Sequence, residues 1–311
     1  MRIFYDERLN LPESPYQSLT KPGRFMTALM GPDGLGQARL SPVEPVLEHE
    51  VLSVHDYFHT RNVLECRVSG FGGSSPALVR QVLLANGAMR SAVHHVLTSP
   101  NERLACAPVS GFHHAGVDFS SGFCTLNGLM IALASAYAND FLARGEDEVL
   151  IIDGDGHYGN GTDDIIKRDP KQFSGVYNLT RGNDADHPLR WNEHNWAAQL
   201  EFVLNWRPWA LVLYQAGADA HRDDPYGAGC LSDGDWLDRD IAVFKHVTER
   251  NVPCVWNLAG GYNGAKTISL HVGTAVTAVR LEAQARRART LAPSQSPAAA
   301  PTAPAQAAPP A

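Results

Sequence analysis

The segment IIDGDGHYGNGTDD, residues 151–164, places acidic residues, a histidine and several glycines directly after a short apolar run. Asp155 and His157 are two residues apart, so in an extended segment both side chains point to the same side. The glycines allow the backbone to bend and to approach other groups closely. A carboxylate and an imidazole on one side suit a metal site, although aspartate and glycine also favour an ordinary surface turn.

A third candidate ligand lies in another segment, GADAHRDDP. Asp219 of this segment, together with Asp155 and His157, would supply three protein ligands and leave one coordination position open for water. An open position is typical of a catalytic rather than a structural metal site. The mixture of oxygen and nitrogen ligands favours zinc, with ferrous iron as an alternative.

Two further segments carry side chains suited to acid–base chemistry. His113 and His114 follow an apolar run in ACAPVSGFHHAG, and a histidine pair is costly to bury without partners. The alternative is that the pair only caps a strand. Tyr262 lies in AGGYNG, where its hydroxyl could donate a hydrogen bond to an oxyanion or serve only a structural turn. The pair His94–His95 lies inside a helical pattern and is interpreted as structural.

The elements that must position these residues are alternating strands and helices. Stretches of helical periodicity, including a final helix at roughly 265–288, separate short apolar runs that are typical of buried strands. The runs are LACAPVS (104–110), VLIID (149–153), GVYNL (175–179), ALVLYQA (210–216) and PCVWNLA (253–259). The alternation predicts an α/β fold, a single domain with a mostly parallel central sheet flanked by helices on both faces. In such sheets ligands bind beyond the carboxyl ends of the strands, where the candidate residues lie.

Composition limits the class of protein. The 311 residues are 44% hydrophobic and 19% charged, and the net charge of −7 argues against nucleic-acid binding. The five cysteines form no CxxC pair, which predicts reduced thiols. Without a signal-peptide pattern or an apolar run of roughly 18 residues, we expect a cytoplasmic protein that does not enter a membrane. Residues 1–290 are expected to form the domain, and the Ala- and Pro-rich residues 291–311 a disordered tail.

Four segments together resemble motifs of the zinc-dependent histone deacetylase family, in the family's order. They are GFHHAG…SSGFCTLNG, IDGDGHYGNGT, QAGADAHRDDPYG and LAGGYN. The family includes bacterial acetylpolyamine amidohydrolases and shares its fold with arginase, and the resemblance extends over roughly residues 15–280. It implies a metal-dependent amidohydrolase that cleaves an N-acyl amide, in first place an N-acetyl amide, on lysine or a small amine, giving acetate and the free amine.

The resemblance implies which residues bind metal. Asp155, His157 and Asp219 would bind zinc, with ferrous iron as the alternative. A structural potassium ion near Asp153 and Asp155 is also typical of the family.

The resemblance further implies the catalytic roles. His114 would act as the general base and later as the acid, and His113 would be held by Asp153. Asn160 stands where the family has Asp or Asn as the partner of the second histidine. An amide brings no negative charge, so it should raise the basicity of His114 less than a carboxylate would. Tyr262 would polarise the amide carbonyl.

Gly122 and Phe123 would line a narrow tube for the acylated amine, and Arg24 in KPGR would be the basic residue deep in the pocket. The rim segment RVSGFGGSSPA contains no acid, whereas relatives that bind peptide backbone use an aspartate there. Only about 30 residues separate the runs at 175–179 and 210–216, so we expect a short rim and an open mouth. The substrate stays open between protein acetyl-lysine, an acetylated polyamine and another small amide, as do the acyl length and the oligomeric state.

Two alternatives share the fold. A non-catalytic protein that binds acyl-lysine or a small amine is expected to lack the base or the tyrosine, yet His114 and Tyr262 are both present. An arginase-like ureohydrolase needs further carboxylates to bridge two manganese ions, where this chain has Asn160 and Tyr158. A metal assay followed by turnover of an acetyl-lysine reporter discriminates among the three.

Overall fold

The structure is a computed structural model that describes residues 1–32, 34–182, 189–227 and 229–291. Apart from Leu291, the tail expected at 291–311 lies outside the described residues. The strands are β1 (Arg2–Phe4), β2 (Arg39–Ser41), β3 (Leu104–Ala107), β4 (Val149–Asp153), β5 (Val176–Arg181), β6 (Arg190–Trp191), β7 (Leu211–Gln215) and β8 (Cys254–Asn257). The helices are α1 (Gln17–Met30), α2 (Glu48–Leu52), α3 (Tyr57–Leu64), α4 (Pro76–Thr98), α5 (Gly128–Ala138), α6 (Asn160–Arg168), α7 (Trp196–Trp206), α8 (Asp233–Glu249) and α9 (Gly264–Leu291).

Within the described residues the strands form one eight-stranded sheet in the order β2-β1-β3-β8-β7-β4-β5-β6. Every pairing is parallel. The five predicted strands are the five central neighbours from β3 to β5, so the predicted parallel α/β fold is confirmed. The sequence did not indicate β1, β2 and β6, because these strands are only two or three residues long and lie toward the two edges of the sheet.

The central strands alternate their side chains between two hydrophobic cores. In β4, Val149 and Ile151 belong to the core that contains the buried side chains of α4 and α5. Leu150 and Ile152 belong to the opposite core, with α1, α7, α8 and α9. Because both faces are covered by helices, these strands are apolar at successive positions, which explains their continuous apolar runs. None of the described helices is long and apolar enough to cross a membrane.

Side-chain caps fix the starts of helices next to the predicted site. Ser232 and Asp235 form a capping box at the start of α8, the helix that follows the GADAHRDDP loop. At α5, the Asn127 side chain accepts a hydrogen bond from the Met130 N–H at 3.3 Å. These caps end the loops at defined residues.

The loops that carry the candidate residues open at one edge of the sheet. In the paired register, Asp153 of β4 lies opposite Gln215 of β7, and Gln215 lies opposite Asn257 of β8. The carboxyl ends of these strands, and of β3 beside β8, are therefore neighbours. Segments that are far apart in the sequence meet at this edge.

Candidate active site

Asp155, His157 and Asp219 form a compact cluster beyond β4 and β7. One ligand atom from each residue lies within 4.8 Å of the other two. His157 Nδ1 lies 3.2 Å from Asp155 Oδ1 and 3.1 Å from Asp219 Oδ2. Both carboxylates are buried, and burial together with the charge of Asp155 raises the pKa of Asp219 to about 7. A bound cation would offset this repulsion.

The surroundings of the cluster fit a divalent cation. A Cβ atom at position 260 would lie 2.0 Å from Asp219 Oδ2, so only glycine lets the backbone approach here. The Gly260 N–H donates to Asp155 Oδ2 at 2.8 Å. His157 Nε2 donates to the carbonyl oxygen of Tyr226 at 2.7 Å, which leaves Nδ1 on the side of the carboxylates. Such an outer hydrogen bond is the usual way of orienting a metal-binding imidazole.

His113 and His114 have different partners and different charge states. His113 Nδ1 donates to Asp153 Oδ2 at 2.7 Å. Burial alone would lower the pKa of His113, but the charges of Asp153 and Asp155 outweigh it and raise the pKa to about 9. His114 Nδ1 donates to Asn160 Oδ1 at 2.6 Å, and burial with the charge of His113 lowers its pKa. His114 is therefore neutral near pH 7 with a lone pair at Nε2, the state that a general base requires.

Asp153 is buried and already fully hydrogen-bonded by the protein. Besides His113, its carboxylate accepts from Thr180 Oγ1 at 3.0 Å and from Gln215 Nε2 at 3.1 Å. The potassium ion expected near Asp153 and Asp155 stays a prediction. The sequence reasoning missed Thr180 and Gln215, although their positions at the carboxyl ends of β5 and β7 were a usable signal.

Tyr262 lies in the loop between β8 and α9, next to the predicted tube residues. The centroid of its ring is 5.6 Å from that of Phe123, and Gly122 directly borders the His114 imidazole. Burial and the charges of the two cluster carboxylates raise the pKa of Tyr262. Its hydroxyl therefore keeps its proton and can donate a hydrogen bond.

Arg24 does not lie in this site. It is exposed on α1 and borders an open groove between α1 and α9. Arg24 lies on the exposed stripe of α1 with Thr27, three residues further along, whereas Phe25 and Met26 face the core. A buried cation near Tyr262 is Lys21, whose Nζ donates to the Ala259 carbonyl and lies 6.0 Å from the Tyr262 ring centroid. Burial lowers the pKa of Lys21 to about 8.

Comparison with known families adds to this geometry. The family model described as histone deacetylase domain matches residues 18–176, which include the histidine pair and the DGDGH segment. Asp219 and Tyr262 lie beyond the matched residues. The solved HD domain of HDA15 superposes with a TM-score of 0.70 over 91% of both chains at 20% identity, so the two proteins share a fold.

Curated relatives are similar over part or most of the chain. Identity is 28% over 173 residues with histone deacetylase 2 of Arabidopsis thaliana, covering 49% of this chain and 42% of the relative. It is 29% over 178 residues with acetylpolyamine amidohydrolase 1 of Pseudomonas aeruginosa, covering 48% of each. The chain thus spans about half the length of these two relatives. An uncharacterised protein of Synechocystis sp. is 28% identical over 285 residues, covering 81% of this chain and 88% of that protein.

Proposed function

This chain belongs to the histone deacetylase family. We therefore propose that it hydrolyses an N-acyl amide, principally an N-acetyl amide, on lysine or a small amine. The products would be acetate and the free amine. The observation that carries this proposal is a convergence at one edge of the sheet. Three side chains that could hold a metal ion, a histidine whose pKa is lowered and a tyrosine whose pKa is raised all lie there. A protein that only binds acyl-lysine would need neither the base nor the hydroxyl.

Asp155, His157 and Asp219 would hold zinc, or ferrous iron in its place, and the bound ion would supply Lewis acidity toward the amide carbonyl and lower the pKa of a water molecule. His114 accepts the proton of the attacking water at Nε2 and later donates it to the nitrogen of the leaving amine. Protonated His113 lies beside it, with ring centroids 4.0 Å apart. Its positive charge stabilises the negative charge that develops on the substrate.

Tyr262 donates a hydrogen bond to the acyl oxygen as that oxygen gains negative charge. The raised pKa of Tyr262 supports this role, because an ionised phenol would repel the same oxygen. Phe123 supplies an apolar wall beside the Tyr262 ring, with the two ring centroids 5.6 Å apart.

The rim favours a substrate that is held by its acylated amine rather than by a peptide backbone. The Gly70 carbonyl accepts from the Phe123 N–H at 3.0 Å, and the Phe71 ring packs 5.7 Å from that of Phe123. The rim segment therefore packs against the tube, and it contains no carboxylate that could bind peptide N–H groups. Acetyl-lysine, an acetylated polyamine and another small amide all meet this requirement.

Metal removal and reconstitution test the proposal directly. Chelated protein should release no fluorophore from an acetyl-lysine reporter, and added zinc should restore turnover. A panel of acylated lysines and polyamines then identifies the substrate. If the zinc-loaded protein bound substrate without turning it over, this result would contradict the proposal and indicate a non-catalytic protein that binds acyl-lysine or a small amine.

Asp219→Ala should lose zinc stoichiometry and turnover together, because it removes one of three ligands and leaves a poor site. Circular dichroism and the thermal midpoint of the metal-free protein should stay close to those of the wild type. Asp223→Ala is the matched control, since this aspartate lies in the same loop with its side chain 58% exposed. Full zinc retention in Asp219→Ala would exclude this residue as a ligand.

A further inference from the structure

Two side chains outside the cluster contact the backbone on both sides of Tyr262. We propose that Gln17 and Asp224 are positioning residues, which set where the Tyr262 hydroxyl points. The inference rests on the proposed function, because the direction of the hydroxyl matters only if it stabilises a charged acyl oxygen.

Gln17 contacts the loop from the first turn of α1. Its Nε2 donates to the Tyr262 carbonyl at 2.8 Å, and its Oε1 accepts from the Gly264 N–H at 3.2 Å. A side-chain amide donates and accepts at the same time, so one residue binds two successive peptide groups of the loop. The start of α1 thereby fixes the carboxyl side of Tyr262.

Asp224 binds the amino side of the same residue. Its Oδ2 accepts from the Tyr262 N–H at 2.6 Å and from the Asn263 N–H at 3.2 Å. Its Oδ1 accepts from the N–H groups of Tyr226 and Gly227 at 3.0 and 3.2 Å. Asp224 is buried, with 8% of its surface exposed. This carboxylate therefore ties the loop after β7 to the loop after β8.

Beyond β8 the backbone of this loop is held by separate contacts rather than by a strand ladder. The Gly260 N–H donates to Asp155 and the Ala259 carbonyl accepts from Lys21, but these contacts end before Tyr262, where Gln17 and Asp224 bind the main chain. The strand hydrogen bonds of β8 end at Asn257, and Gly261 has a φ of 132°, a conformation that other residues rarely adopt. A displacement of about 1 Å in a reacting group can cost about 10²-fold in rate. Contacts to the main chain next to Tyr262 therefore bear directly on how well its hydroxyl meets the acyl oxygen.

Gln17 offers the cleaner test of the two residues. Asp224 also supports the turn at Tyr226, whose carbonyl accepts from the metal ligand His157. A change at Asp224 would therefore alter the metal site as well as the tyrosine. Among the described residues, the hydrogen bonds of the Gln17 side chain go only to the Tyr262 loop.

The experiment is a double-mutant cycle with zinc-loaded protein and the acetyl-lysine reporter. Gln17→Met removes the amide and keeps the length of the side chain. We expect kcat to fall by about tenfold or more, with zinc content unchanged and KM nearly so. In the Tyr262→Phe background the same substitution should have no further effect on kcat, because the hydroxyl that it positions is already absent.

Gln172→Met is the matched control. Gln172 Nε2 also donates to a backbone carbonyl, that of Ser53 at 2.8 Å, but it precedes β5 at the amino end of the strands. This variant should turn over at the wild-type rate. Gln17→Glu is a second probe that suits the start of a helix, and it keeps the acceptor for Gly264 while losing the donor to Tyr262. The loss of kcat in Gln17→Glu should likewise disappear in the Tyr262→Phe background.

The outcomes separate this inference from the function on which it rests. An equal loss from Gln17→Met or Gln17→Glu with and without the Tyr262 hydroxyl would overturn the inference, as would wild-type turnover of both variants. If Tyr262→Phe itself keeps wild-type turnover, the proposed catalytic role of the tyrosine fails instead.

Discussion

His114 and Tyr262 lie in the same site, yet their environments move their pKa values in opposite directions. Burial and the neighbouring charge of His113 lower the pKa of His114, which favours a neutral proton acceptor. Burial and the two cluster carboxylates raise the pKa of Tyr262, which preserves a proton donor. Groups whose pKa values are driven apart in this way can take separate acid and base roles at one pH.

Tyr262→Phe tests the donor. The hydroxyl is proposed to stabilise the negative charge on the acyl oxygen, which develops only when water attacks the amide. Its loss should therefore affect the transition state more than substrate binding. We expect kcat to fall by about 10² to 10³, equivalent to roughly 3 kcal/mol. Zinc content and the affinity for a substrate-like ligand should stay near wild type in metal analysis and titration calorimetry. Turnover at the wild-type rate would reduce Tyr262 to a structural turn residue.

Among the elements, the central strands and the loops after them could be predicted from the sequence. Strands such as β4 and β7 are buried on both faces and therefore read as continuous apolar runs. Parallel pairing then requires the loops at their carboxyl ends to meet. The short strand β6 and the edge strand β2 carry no such signal, because a strand of two or three residues shows no periodicity.

The contacts around the tyrosine loop could not be predicted in this way. Gln17 lies 245 residues from Tyr262 in the sequence, and Lys21 lies 238 residues from Ala259. No local pattern indicates that α1 packs against the loop after β8. The motif KPGR pointed to Arg24, but the helix turns that residue outward and buries Lys21 instead.

The rim segment predicts that the protein accepts acetyl-lysine peptides of different sequence. Because the segment around Gly70 and Phe71 packs on Phe123 and contains no acid, it should contribute little to sequence recognition. Values of kcat/KM for acetyl-lysine peptides with different flanking residues should agree within about tenfold, the scale of weak apolar contacts. An acetylated amine without flanking residues serves as the reference. Selection of about a hundredfold between related peptides would contradict the prediction.

At the scale of the whole molecule, buried polar groups join segments that are far apart in the sequence. His55 is 2% exposed, and its Nδ1 donates to the Gly116 carbonyl at 2.8 Å. Its Nε2 accepts from the Asn127 N–H at 3.0 Å, where α5 begins. Only a neutral imidazole donates and accepts in this way. Burial and the neighbouring His59 lower the pKa of His55 to about 3.

This burial predicts acid-sensitive folding. The pKa of His55 is about 3 when folded and about 6.5 when unfolded, so the unfolded chain binds the proton first as the pH falls. The contribution of His55 to stability is complete above about pH 6.5 and is lost toward pH 3, at about 1.4 kcal/mol per pH unit. The free energy of unfolding, measured in urea from pH 7.5 to 4.5, should depend less steeply on pH in His55→Gln than in the wild type. The control His194→Gln, with its side chain 86% exposed, should follow the wild type, and equal slopes for all three would refute the prediction.

The position of β8 between β3 and β7 has a consequence for how the protein is made. Among the described strands, β8 alone joins β2, β1 and β3 to the strands on its other side, yet it is the last of them along the sequence. At a synthesis rate of about 5–20 residues per second, β3 waits many seconds after it is translated before this partner follows. Over that time the edge of β3 that later pairs with β8 is open to pairing with other nascent chains. The pairing of β8 closes the sheet and brings the Tyr262 loop to the carboxylates, so the proposed active site is complete only after the last described strand has been made.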